Sequence, residues 1–127
     1  ADMINNEEVF INGDGETSRD FCFIENTVQM NILAATADEQ AKTEVYNVAV
    51  GDRTSLNTLF DALKKSLSDS KISYNRAPNY QNFRAGDVRH SQADISKAQQ
   101  KLGYEPSHKI YDGIGKAMPW YAKTLGG

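Results

Sequence analysis

Gly13-Asp14-Gly15-Glu16-Thr17-Ser18-Arg19-Asp20-Phe21 is a glycine turn followed by an arginine. Asn12-Gly13 and Asp14-Gly15 supply residues that accept positive φ, so the turn is expected to connect a β-hairpin with strands over 8–12 and 19–24. Farther along, Arg84-Ala85-Gly86-Asp87 places a second guanidinium three residues before a carboxylate. Two arginines on ordered backbone, one near a turn rich in N–H groups and one near a carboxylate, suit a diphosphate attached to a ribose. The same residues have a plainer use in ion pairs: Arg19 with Glu16 or Asp20, and Arg84 with Asp87.

Beyond the turn, Val28, Ile32 and Ala35 recur at helical spacing, and Asn26 is a candidate cap, so a helix of about three turns is expected. Val45 to Val50 is an almost continuous apolar run, broken only by Asn47 and ended by Gly51. It reads as a strand covered on both faces. Thr54 or Ser55 can cap a further helix, where Leu56, Leu59, Phe60, Leu63 and Leu67 share one face. That face is core packing, and Lys64 and Lys65 opposite it are a solvated surface. Ile72 to Tyr74 predicts a short strand, and Asn79 to Asp87 an exposed loop. A helix over 94–102 is marked by Ile95, Ala98 and Leu102 and stopped by Gly103 and then Pro106. Ile110, Ile114, Met118 and Tyr121 outline a last helix that Pro119 must bend or restrict. The expected fold class is α/β, with short strands, a hairpin and about four helices in one domain over 1–127, a length that suits one core.

A net charge of −3 argues against a nucleic-acid footprint. Cys22 is the sole cysteine. It cannot form an intrachain disulfide, and it reads as a buried thiol in a reducing cytoplasm. No apolar run approaches the roughly 20 residues of a membrane span, so no membrane partner is expected. There are no internal repeats.

Several chemistries fail on residue type. Asp87, His90 and Asp94 are too poor in histidine and cysteine for zinc, and His108 reads as a surface residue. A calcium loop from Asn12 would need glycine at Thr17 and glutamate at Phe23. No nucleophile elbow occurs beside His90 and Ser91. Gly113-Ile114-Gly115 has neither a preceding strand nor a third glycine, so no cofactor loop is found. None of the tyrosines has a lysine four positions on, the nearest approach being Tyr80 to Arg84. No catalytic, cofactor-binding or metal residue is therefore assigned.

Four ordered segments carry a resemblance: 9–21, Val45-Tyr46-Asn47-Val48-Ala49-Val50-Gly51, Arg84-Ala85-Gly86-Asp87-Val88-Arg89-His90, and Leu102-Gly103-Tyr104-Glu105-Pro106. Together they resemble the C-terminal third of the extended short-chain dehydrogenase/reductases acting on nucleotide sugars, most closely the UDP-N-acetylglucosamine 4-epimerases of bacterial polysaccharide biosynthesis. The resemblance implies a Rossmann-type fold without its dinucleotide-binding half, and a chain that reads as a fragment or a truncated gene product. It implies NAD as the cofactor of the full-length family, held outside these residues together with the Tyr-x-x-x-Lys pair, so this chain alone is not expected to turn over.

By the same resemblance, Phe10 and Asn12 would lie near the uracil. Arg19 and Arg84 would grip the diphosphate, Asp87 would accept from the ribose hydroxyls, and Asn47 would touch a phosphate if its amide points out of a strand end. The implied partners are a UDP-sugar and either the missing Rossmann half or a second copy, because the unpaired strand 45–50 would favour a homo-oligomer such as a dimer. Two other functions stay open: a non-catalytic, self-associating remnant domain, and part of a sibling nucleotide-sugar dehydratase.

Overall fold

The structure, a computed structural model, describes residues 1–126. In chain order its elements are β1 (Phe10–Asn12), β2 (Ser18–Arg19), α1 (Ile24–Ala35), β3 (Thr54–Ser55), α2 (Leu56–Asp69), β4 (Asn79–Gln81), α3 (Ser96–Leu102) and α4 (Ile110–Leu125). They fall into two compact units. One comprises Ala1–Ser18, Thr54–His90 and Ile114–Gly127, the other Arg19–Arg53 and Ser91–Gly113. No helix among the described residues is long and apolar enough to cross a membrane.

In the first unit α2 forms as its sequence predicts. Ser55 is the N-cap, its Oγ accepting from the Thr58 N–H at 3.1 Å. Phe60 and Leu67 are buried with Met3, Ile11, Tyr74 and Met118, and Leu56, Leu63, Val9, Ile72 and Ile114 pack around them. The helical spacing of the leucines thus produces a packed face. Residues 72–74 do not form the expected strand: Tyr74 is a core residue, its hydroxyl donating to the Glu7 carbonyl at 2.9 Å.

The expected hairpin is not formed. β1 pairs in parallel with β4, Phe10 opposite Asn79 and Asn12 opposite Gln81, while β2 pairs with β3. The glycine turn does place Gly13 and Gly15 at positive φ. It carries the chain from one strand pair to the other instead of folding it back on itself, so its partner is 79–81, a segment the sequence places in a loop. Burial alternates along β1, with Ile11 inside and Phe10 and Asn12 outside, as a strand covered on one face requires.

The second unit has its own core of Met30, Ala41, Ala49, Ile95, Ala98, Leu102 and Tyr104. α1 begins at Ile24, so Asn26 sits in its first turn and is no cap. Its side chain is fully buried. Oδ1 accepts from the backbone N–H groups of Ser107 (2.9 Å) and His108 (3.1 Å), and Nδ2 donates to the His108 carbonyl (2.7 Å). This lock turns the face of Asn26, Met30 and Leu33 inward, and Val28 and Ile32 are consequently 48% and 59% exposed. α3 starts at Ser96, where Asp94 Oδ1 accepts from the Ser96 N–H at 2.9 Å, and it stops at Gly103 as expected. In the first unit, α4 continues through Pro119 to Leu125.

The strand expected over 45–50 is absent, because side chains meet the backbone groups a ladder would use. Asp20 accepts from the N–H groups of Val50 and Gly51 at 3.0 Å each. The Tyr104 hydroxyl donates to the Ala49 carbonyl at 2.7 Å, and Lys97 to that of Val45 at 3.0 Å. Val45 is 84% exposed. With no strand at 45–50, this segment presents no strand edge to a second copy.

Candidate functional site

The candidate site is built in the first unit on two segments, 10–18 and 79–90, that run side by side. They are joined first by the β1–β4 pairing, extended by the Gly13 N–H donating to the Gln81 carbonyl at 2.8 Å. They meet again where Ser18 bridges His90 in parallel: the Ser18 N–H donates to the Arg89 carbonyl at 2.9 Å, and Ser18 Oγ lies 2.8 Å from His90 Nδ1. Between these anchors the second segment projects a loop carrying Arg84 and Asp87.

That loop has a local cause. The Asp87 N–H donates to the Arg84 carbonyl at 3.2 Å, closing a four-residue turn, and Gly86 sits at its third position with φ of 79°. A turn of that kind needs positive φ there, which glycine adopts without steric cost. The turn brings Arg84 Nη2 to 3.6 Å from Asp87 Oδ1. Arg84 remains 71% exposed and Asp87 26%. An exposed guanidinium beside an oriented carboxylate can take an anionic oxygen on one side and hydroxyl donors on the other.

The glycine turn is held from two directions. Its carbonyls cap α2: Gly15 O accepts from the Asn57 N–H and Thr17 O from the Leu56 N–H, each at 3.0 Å, satisfying donors a helix start leaves open. Asn57 Nδ2 then donates to the Asp14 carbonyl (3.1 Å) and to Glu16 Oε1 (2.7 Å), and its Oδ1 accepts from the Tyr80 hydroxyl (2.9 Å). From the other side, Arg89 meets the Asp14 carboxylate through both nitrogens, at 3.0 and 2.7 Å. The Arg89 hydrogen bond, followed by the Glu16 N–H, holds the Asp14 carboxyl below its usual range, and Asp14 in turn raises Arg89.

Of the six residues assigned from the sequence, Phe10, Asn12, Arg84 and Asp87 lie in this unit. Phe10 and Asn12 are on the outer face of β1, and Arg84 and Asp87 are on the loop that follows β4. Arg19 and Asn47 belong to the second unit. There, one Asn47 amide N–H donates to the Asp94 carbonyl at 3.0 Å, in a segment that is not a strand. Asp20 is engaged with backbone N–H groups, a use the sequence did not suggest. Asn57, Tyr80, Phe83 and Arg89 were also missed. Arg89 lies within a segment whose pattern had been noticed, but its partner Asp14 is remote in sequence. No group of three metal-ligating side chains occurs among the described residues.

The family described as GDP-mannose 4,6 dehydratase matches residues 2–117. The structure is similar to that of the UDP-glucose 4-epimerase of Thermotoga maritima solved with UDP-glucose, at a TM-score of 0.86 and 37% identity, over 97% of this chain and 37% of that one. It is also similar to the UDP-N-acetylglucosamine 4-epimerase of Methanobrevibacter ruminantium solved with UDP-N-acetylmuramic acid, at a TM-score of 0.81 and 33% identity, over 98% and 37% of the two chains. A third, the UDP-glucuronic acid 4-epimerase of Bacillus cereus in complex with UDP-glucuronic acid and NAD, is similar at a TM-score of 0.78 and 26% identity, over 97% and 37%. The curated relatives, UDP-sugar 4-epimerases among them, are longer too: the chain spans 35% of one and 33% of another. The fold is therefore that of part of an extended short-chain dehydrogenase/reductase, whose solved members include NAD complexes.

Proposed function

This chain belongs to the GDP-mannose 4,6 dehydratase family, and from that footing we propose that it is the nucleotide-sugar-binding part of a UDP-sugar 4-epimerase, with UDP-N-acetylhexosamine as the substrate class. The observation that carries the proposal is the Arg84–Asp87 turn, on a segment, 79–90, that pairs with 10–18. In this reading Arg84 donates to the diphosphate, Asp87 accepts from the ribose hydroxyls, and Phe10 and Asn12 border the base.

NAD and the base that moves the proton at the sugar belong to the part of the longer proteins that this chain does not span. Its own residues bind and orient the nucleotide and carry no step of the chemistry. The 4-epimerase reading is preferred to a dehydratase because two neighbours of similar fold that hold UDP-sugars, at 37% and 33% identity, are named 4-epimerases.

The test is calorimetric titration of UDP and UDP-N-acetylglucosamine into the chain, at a concentration where its mass in solution is known, with Arg84→Ala as control. A charged hydrogen bond contributes roughly 1.5–3 kcal/mol, so Arg84→Ala should weaken UDP about ten- to a hundredfold. Equal affinity of wild type and variant, or no saturable heat with either ligand, overturns the assignment of a nucleotide site to this chain.

A further inference from the structure

We propose that Asp14 and Arg89, with Phe83 against the guanidinium, are positioning residues for nucleotide binding: they form a clasp that holds the Arg84–Asp87 turn in its binding arrangement. The proposal rests on the nucleotide reading of that turn and adds the device that orders it.

The loop leaves β4 after Gln81 and rejoins the first segment at His90. Its two ends are where the clasp acts. At the near end the Phe83 ring lies over Gly13 so closely that a Cβ on Gly13 would stand 2.3 Å from Phe83 Cε1. At the far end Arg89 spans to both oxygens of Asp14, and its guanidinium lies 5.3 Å from the centroid of the same Phe83 ring. Phe83 and Arg89 thus close the base of the loop by contact with each other, and both close onto the glycine turn. Only the tip, with Arg84 and Asp87, extends beyond.

The geometry selects arginine at position 89. A planar fork matches both carboxylate oxygens and lies over an aromatic face at once; an ammonium can lie over a ring, as Lys97 does over Tyr46, but has no fork to match both oxygens at the same time. Because Nη1 and Nη2 each direct an N–H at Asp14 and the guanidinium lies over Phe83, Arg89 is held at the base of the loop and acts through it, while Arg84 meets the ligand. If the loop without its clasp holds the competent arrangement for a third to a tenth of the time, the apparent Kd rises roughly three- to tenfold, by the fraction of chain competent to bind.

The variants are Arg89→Ala, Arg89→Lys and Asp14→Asn, with the Asp14→Asn/Arg89→Ala pair. The readouts are UDP affinity by calorimetry, hydrogen exchange of the 83–88 amides by mass spectrometry, and the urea midpoint. Expected are a several-fold higher Kd in each single variant and no further rise in the pair, because both substitutions open one contact. Exchange at 83–88 should quicken while the urea midpoint moves little. Arg89→Lys should fail to restore the wild-type Kd.

If wild type binds UDP and Arg84→Ala weakens it, unchanged affinity in Arg89→Ala and Asp14→Asn overturns the clasp. So does a loss in Arg89→Ala as large as that in Arg84→Ala with exchange unaltered, since that result makes Arg89 a direct ligand. If wild type binds no UDP, the nucleotide reading fails by itself, and the exchange readout still decides whether Asp14 and Arg89 order the loop. Asp14→Asn keeps the acceptor for the Glu16 N–H and serves where Arg89→Ala does not fold.

Discussion

Gly15→Ala examines the join between the glycine turn and α2. Gly15 has φ of 77°, and a Cβ there would lie 1.9 Å from Asn57 Oδ1. Alanine at that φ costs about 1–2 kcal/mol. Asn57 must also swing away, which breaks its bonds to the Tyr80 hydroxyl, the Asp14 carbonyl and Glu16. These groups are exposed and recover water, so losing two or three such bonds costs about 1–2 kcal/mol in all, at the low end of the net contribution per bond. The total, about 2–4 kcal/mol, is a large share of the ~5–15 kcal/mol that holds a domain folded. Urea denaturation measures it as a shift in midpoint at unchanged slope. The second arm places Gly15→Ala in an Asn57→Ala background, where the three closest atoms are gone and the cost should fall toward the backbone part. Equal costs in the two backgrounds, within about 0.5 kcal/mol, would refute the claim that Asn57 is what excludes a side chain at position 15.

Asn26→Leu removes a fully buried amide whose partners are the Ser107 and His108 N–H groups and the His108 carbonyl. Leaving these groups unsatisfied should cost about 3 kcal/mol or more, read from the urea midpoint, and a loss under about 1 kcal/mol would contradict the lock. Tyr104→Phe concerns the alkaline limb. Burial, with Cys22 and Asp20 adding to it, pushes the Tyr104 hydroxyl up to about 12 from an ordinary 10.0. The folded chain therefore holds that proton more tightly than the unfolded one. The resulting stability is complete below the unfolded value and is lost as pH rises from 10.0 toward 12. Phenylalanine should flatten that limb and cost about 1 kcal/mol at neutral pH by orphaning the Ala49 carbonyl. Wild type and variant with parallel stability curves above pH 10.0 would count against the shift.

What the sequence made legible was local. Ser55 and the leucine spacing announce α2, Gly103 announces the end of α3, and the glycines of 13–15 announce positive φ. Each of these is decided within about one helical turn or one tight turn of the residue concerned. Where reasoning failed, the deciding contact was remote and made by a polar side chain. The apolar run 45–50 has the composition of a strand, but Asp20, Lys97 and Tyr104 take its backbone groups. Asn26 stands where caps often stand, yet its partners are Ser107 and His108. The hairpin failed for a related reason: a turn's dihedrals say how the chain bends, and only the partner strand says where it goes. Asn79-Tyr80-Gln81, exposed throughout, shows no alternation that would identify it as that partner.

The candidate site divides along the same line. Arg84 and Asp87 could be paired from sequence because one glycine turn fixes them, and the structure brings them to 3.6 Å. Asp14 and Arg89 could not, since they stand far apart in sequence and only the parallel course of 10–18 and 79–90 brings them together. That course also explains why two distant segments were recognisable as one pattern. Gly13 is required by the approach of Phe83 and Gly15 by that of Asn57, and each is required by its own φ as well. The glycines thus record contacts made by residues far along the chain. Phe83→Ala should accordingly lower the cost of Gly13→Ala, read from the urea midpoint, only to the part set by its φ of 80°, while leaving the cost of Gly15→Ala intact, because Asn57 approaches the turn from α2.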